Sequence, residues 1–335
     1  MKRPAPNKVL ITGGAPAGGL SSFAHTLSLG FASLGIPAEV IAPGAILQRW
    51  RELRDPNVLK ILSTTAVFAA PLARRAICVA HGFPRADVHG WIKFMAIVAS
   101  YKLANRCAQL ACVSHYAAVH LRAIFSLRVD AVIHNPVNPL FNAPADDDAA
   151  ERTYVTYVGR LHPVKRLEHI FPAICALLEE DPSLRACIIG DGELRESLAA
   201  RARGNPRVEM KGALGAEDVC QWLRKTRVFV SGCETEALGI AYLEALSQGC
   251  TVVMPACGGG LEIAPELLGK SVRLLPLPLE QGTILSALRE ALHEDFTPFS
   301  ASRCEASAIA RRYLEADKSR IEPAAFTTRD AVIEG

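Results

Sequence analysis

The chain has 335 residues, 50% of them hydrophobic, and a formal net charge of +3, which is enough length for two domains with separate cores and fits a globular α/β protein. No apolar run reaches the roughly eighteen residues of a membrane span, and residues 1–4 lead into a strand-like segment rather than a signal peptide. Ten cysteines without a repeated Cys-x-x-Cys exclude a structural zinc module and suggest reduced thiols, so a cytoplasmic location is expected and no nucleic-acid partner is.

Alternation of strand and helix begins at once. Residues 8–12 form a short apolar strand, Gly13, Gly14, Gly18 and Gly19 a glycine-rich turn, residues 20–34 a helix and residues 38–42 a second strand. Further strands are expected at 76–80, 108–113 and 131–134, with helix-like stretches between. Prolines and the run Asp146-Asp147-Asp148 interrupt the pattern as a solvated linker over 142–152. A second cycle places strands at 153–158, 186–189, 208–210, 228–231, 251–254 and 271–275, a helix around 217–224 and a last helix near 302–314. Two doubly wound parallel-sheet domains follow, 1–141 and 153–300, with residues 301–335 as a C-terminal helix and tail.

Glu236 and Glu244 stand eight positions apart beside an apparent helix start. On a helix that spacing turns the second carboxylate about 80° from the first and lifts it about 12 Å, so the pair suits opposite ends of an extended ligand. The amides of Leu238, Gly239 and Ile240 would face negative charge between them. A ligand with hydroxyls at both ends and phosphate in the middle is a nucleotide sugar. Arg160 and Lys165 lie in a basic loop after a strand and a Gly turn, where a guanidinium fork and a mobile ammonium can neutralise a diphosphate. Gly258, Gly259 and Gly260 permit close backbone approach before Leu261 and Glu262. The glycines of the first turn do not spell Gly-x-Gly-x-x-Gly, which argues against a nicotinamide enzyme.

In that order, these segments resemble the C-terminal half of family 4 glycosyltransferases, retaining enzymes of GT-B architecture; the likeness is dense over 153–265 and thinner over 8–141. The resemblance implies two Rossmann-like domains facing a cleft and a nucleoside diphosphate sugar as donor. Arg160 and Lys165 would bind the diphosphate, Glu236 the sugar hydroxyls and Glu244 the ribose. Gly18 and Gly19 would lie against the donor phosphate, and His81, ending the strand 76–80, would touch the transferred sugar. It further implies no metal clamp and no cofactor beyond the co-substrate, and a last helix that crosses back to the first domain. The family's usual Pro-Phe-Gly is replaced here by Ala237, Leu238 and Gly239. A non-catalytic nucleotide-sugar-binding subunit and an epimerase of the same architecture are the alternative readings.

Residues 1–150 carry 15 Lys and Arg against 8 Asp and Glu, and residues 91–102 are basic and aromatic. From this a glycan or lipid-linked acceptor is expected on the first domain, with peripheral contact at the inner face of a membrane.

Overall fold

The computed structural model describes residues 4–13, 19–142, 152–202, 204–263, 265–294, 299 and 301–318. Gly14 and Gly18 of the first turn, the Asp146-Asp147-Asp148 run and the tail from 319 lie outside the described residues.

The first sheet contains β1 (Lys8–Thr12), β2 (Ala38–Ile41), β3 (Val58–Ser63), β4 (Ala76–Ala80), β5 (Gln109–Cys112) and β6 (Ala131–Val132). They are parallel throughout, in the order β2-β1-β3-β4-β5-β6. Its helices are α1 (Gly19–Ser33), α2 (Trp50–Arg54), α3 (Ala86–His89), α4 (Trp91–Cys107) and α5 (His115–Phe125), joined by 3-10 segments at Pro43–Arg49 and Thr64–Leu72. The second sheet contains β7 (Tyr154–Val158), β8 (Arg185–Ile189), β9 (Val208–Gly212), β10 (Thr226–Val230), β11 (Thr251–Pro255) and β12 (Val272–Leu275), again parallel, in the order β12-β11-β10-β7-β8-β9. Around it pack α6 (Leu167–Glu180), α7 (Arg195–Ala202), α8 (Ala216–Arg224), α9 (Ile240–Ser247) and α10 (Gln281–Leu292); α11 (Ala306–Lys318) follows.

Strand side chains alternate between faces. In the first sheet Val9, Ile11, Leu59 and Ile61 meet Phe23, Leu27 and Phe31 of α1 on one side, while Leu62, Cys78, Leu110 and Cys112 meet α4, α5 and the 3-10 layer on the other. β3 is absent from the sequence expectation, because Lys60 interrupts its apolar run. Its ammonium folds back onto the carbonyls of Asp55 and Val58, both at 2.8 Å, and burial pushes its pKa down to about 8.

The chain passes from one core to the other four times, since from Tyr242 to Cys304 it is again in the second core. Ile133 packs in the first core and Val137 and Phe141 in the second; Ala237 and Leu238 return to the first; Ile309, Ala310 and Tyr313 of α11 end there, against α1. Where α1 meets the start of α11, a Cβ on Gly30 would stand 2.1 Å from the carbonyl oxygen of Ala306, so only glycine allows that approach. Arg75 anchors the far end of α11 through Asp317.

A candidate donor-binding cleft

Parallel sheets present their open strand ends, and the loops that follow them, on one edge. The loops after β10 and β11 meet those after β4 and β5 across the line between the domains.

On the second domain, Gly159 follows β7 and Arg160 comes next, exposed and without an ion pair among the described residues. One short 3-10 turn (Pro163–Lys165) places Lys165, and its Nζ lies 2.5 Å from Glu236 Oε2, with the two side chains 22% and 23% exposed. Burial would lower the Lys165 pKa, but the Glu236 carboxylate beside it outweighs that and raises it, so the ammonium stays charged. Arg166, in the left-handed region at φ 54°, turns to Glu234 at 3.0 Å. Two cations of one loop therefore meet two carboxylates of another.

Glu236 is not on a helix, contrary to the helical spacing read from the sequence. α9 starts at Ile240, and its N-cap Gly239 has φ 84° and no side-chain cap. A Cβ there would approach Tyr242 Cδ2 to 2.5 Å, so glycine is required on two counts. The amides of Leu238, Gly239 and Ile240 donate no hydrogen bond among the described residues, although Leu238 is buried. Unpaired amides at a helix N-terminus make a place for an anion. One turn along α9, Glu244 is buried without a hydrogen-bond partner for its carboxyl among the described residues, and burial pushes its pKa up to about 7. A carboxyl in that state awaits hydroxyl donors.

His81 follows β4 on the opposite domain. Its Nε2 lies 3.2 Å from Ser63 Oγ, and its ring meets Phe23 edge-on at 4.4 Å between centroids. Burial pushes its pKa down to about 4, against a smaller opposing pull from Asn135, so the imidazole is neutral at pH 7. Gly19 opens α1, and Gly18 lies outside the described residues. Arg160, Lys165, Glu236 and the three amides are thus gathered on loops of the second domain, Glu244 stands deeper on α9, and His81 stands on the other wall.

Residues to which the sequence reading gave no role bridge the two walls. Arg85 Nη1 donates to Thr235 Oγ1 at 2.5 Å. The protonated form of His89 is disfavoured by burial first and then by the charges of Lys93 and Arg160. Glu262 ends a single 3-10 turn (Gly259–Glu262) and accepts from the amides of His115 and Tyr116, both at 2.7 Å. It thereby fills the N-terminus of α5 in the other domain. Burial would raise its pKa, but His134 and those two amides together lower it. No local signal marks these contacts between the walls, because Arg85 and Thr235 are 150 positions apart and Glu262 is 147 from His115 and 146 from Tyr116.

Among known proteins, residues 152–283 match the family model described as "Glycosyl transferases group 1". The sulfoquinovosyl transferase SQD2 of Arabidopsis thaliana is 33% identical over 144 residues, 43% of this chain. The D-inositol 3-phosphate glycosyltransferase of Streptomyces scabiei is 32% identical over 155 residues, 40% of this chain. The matched stretch spans 27% of the first protein and 34% of the second. In structure the chain is similar to the Anabaena protein HepE, solved with UDP and glucose, at a TM-score of 0.73 and 16% identity, covering 93% of this chain and 99% of that one. Two six-stranded parallel sheets carry this likeness over nearly the whole chain, so the fold is the two-domain GT-B type, and residues 152–283 are similar to group 1 glycosyltransferase domains.

Proposed function

We propose that the protein is a retaining glycosyltransferase that moves a sugar from a nucleoside diphosphate sugar to a glycan or lipid-linked acceptor. The observation that carries this is the set of amides of Leu238, Gly239 and Ile240, which donate to no group of the described chain and follow closely on Glu236, whose carboxylate holds the Lys165 ammonium. Breaking the bond between the sugar's anomeric carbon and the diphosphate leaves an electron pair on the departing phosphate oxygen, and these groups stabilise that charge as it develops. Arg160, exposed and without an ion pair among the described residues, adds a second cation.

Glu236 then holds sugar hydroxyls and Glu244 the ribose. Lys165 keeps the Glu236 carboxylate oriented until the diphosphate competes for the ammonium. The neutral imidazole of His81 offers one donor and one acceptor to the reacting sugar. The acceptor oxygen attacks the face that the diphosphate leaves, and its proton passes to the departing phosphate. That a protein of the same fold was solved with UDP and glucose supports a uridine donor as the first to try.

The test is a screen of nucleoside diphosphate sugars by ligand-detected NMR, with donor hydrolysis followed in parallel. Binding and slow turnover of one donor that Lys165→Ala loses would support the reading. A folded protein that binds none of them would end it.

A further inference from the structure

The loop between β10 and α9 holds Glu234, Thr235 and Glu236 in succession, and each side chain is tied to a different residue. Glu234 accepts from Arg166 at 3.0 Å and Glu236 from Lys165 at 2.5 Å, both cations of the second domain. Thr235 Oγ1 accepts from Arg85 Nη1 at 2.5 Å. Among the described residues, this is the one hydrogen bond that the first domain makes to the three residues.

Arg85 is held firmly enough to serve as a tie. It ends the loop after β4, in which Pro84 is buried and Phe83 stacks on His120 of α5 at 4.2 Å between centroids and 8° between planes. Asp87 Oδ1 accepts from Arg85 Nε at 3.1 Å and Asp87 Oδ2 from Nη2, so both edges of the fork are fixed and Nη1 is left for Thr235. On the same loop, a Cβ on Gly82 would stand 3.8 Å from Ala237 Cβ. The loop after β4 therefore comes close to the residues on both sides of Glu236.

The Glu236 carboxylate has Lys165 as its single hydrogen-bond partner among the described residues. In the proposed transfer the diphosphate draws that ammonium away, and the carboxylate then depends on its backbone for its aim. Two bonds hold that backbone: the Glu236 carbonyl accepts from the Gly259 amide at 2.8 Å, and Thr235 accepts from Arg85.

We infer that Arg85 is a positioning residue for the transfer: from the first domain it fixes Thr235, and so keeps Glu236 aimed at the sugar hydroxyls after Lys165 has turned to the diphosphate. The sugar grip of the second domain is thus complete only with the first domain beside it. This rests on the donor reading above, and gives Arg85 no contact with the donor itself.

Steady-state kinetics with the donor selected by the screen, and calorimetry with the nucleoside diphosphate of the same base, test it on Arg85→Met, Thr235→Val and the two together. Met keeps the stem without its donors, and Val keeps the shape of Thr without its hydroxyl. Each single change should lower kcat about tenfold, as for one hydrogen bond to a charged group. Nucleoside diphosphate affinity should stay within about twofold, and Thr235→Ser, which keeps the acceptor, should turn over within about twofold of wild type. The double variant should be no slower than the slower single one, because both lose the same bond. Added to Glu236→Gln, Arg85→Met should cost less than about twofold more, since the group through which it acts is already changed. If Arg85→Met does not fold, Thr235→Val carries the test from the other side of the bond. Unchanged kcat in the folded variants, or losses that simply multiply in the double variant, would overturn the inference and leave the donor reading standing. A tenfold loss of nucleoside diphosphate affinity would also overturn it, making Arg85 a donor-binding group. A wild-type protein that turns over no donor would end both.

Discussion

Two ion pairs in this molecule join the same kinds of group and differ in what surrounds them. Arg75 and Asp317 are 3% and 2% exposed, and the guanidinium also donates to the carbonyls of Pro56 at 3.1 Å and Pro4 at 2.7 Å, so its donors are spent on the chain itself. Lys165 and Glu236 are 22% and 23% exposed and stand beside backbone amides that donate to nothing in the described chain. The first pair is a closed clamp on α11. The second leaves hydrogen-bonding capacity over, and that surplus is what separates a binding site from a structural contact.

Removing one partner should break the clamp hardest. Asp317→Ala strands a buried guanidinium, and denaturant titration should report a loss of about 3–5 kcal/mol. A loss below about 1 kcal/mol would mean that α11 is not held there.

At the open pair the effects should appear in binding rather than stability. Lys165→Ala should weaken nucleoside diphosphate binding by about 1.5–3 kcal/mol by calorimetry. Its melting should shift less than that of the Asp317 variant, since this pair is only partly buried. Unchanged affinity in the folded variant would remove Lys165 from the site.

Glu244 sharpens the contrast because it has no partner at all among the described residues. Its folded pKa, near 7, lies above the ordinary carboxyl value, so the native state holds its proton longer than the unfolded chain. Stability is therefore complete below the ordinary carboxyl range and lost as pH rises to about 7. Glu244→Gln should abolish that loss, making the ligand-free protein more stable than wild type at pH 8 by up to about 3 kcal/mol while weakening nucleotide binding. If both proteins show the same pH dependence of stability, the carboxyl is solvated and the ribose assignment goes with it.

The smallest effect is expected at Glu236. Glu236→Gln keeps the shape of the pair, so turnover should fall about tenfold while free nucleoside diphosphate affinity stays within about threefold. Equal loss of nucleotide affinity in the Glu236 and Glu244 variants would show that the two carboxylates do not divide the donor between them.

The sequence by itself determined all six strands of the second sheet, five of the six in the first, and the loops that carry Arg160, Lys165, Glu236 and the amides before α9. These are properties of short segments: apolar runs between turns mark buried parallel strands, and glycine before a helix marks a bare N-terminus. It missed β3, because a lysine in mid-strand reads as surface until the carbonyls of Asp55 and Val58 are in place around it. It spaced Glu236 and Glu244 as on one helix, whereas the helix begins at Ile240 and Glu236 lies on the loop before it. Only the tertiary structure decided which side chains meet: Lys165 with Glu236 across 71 positions, Glu262 with the start of α5 across 147, Arg75 with Asp317 across 242. Such pairings depend on how two sheets lie against each other, a long-range arrangement that no local periodicity encodes.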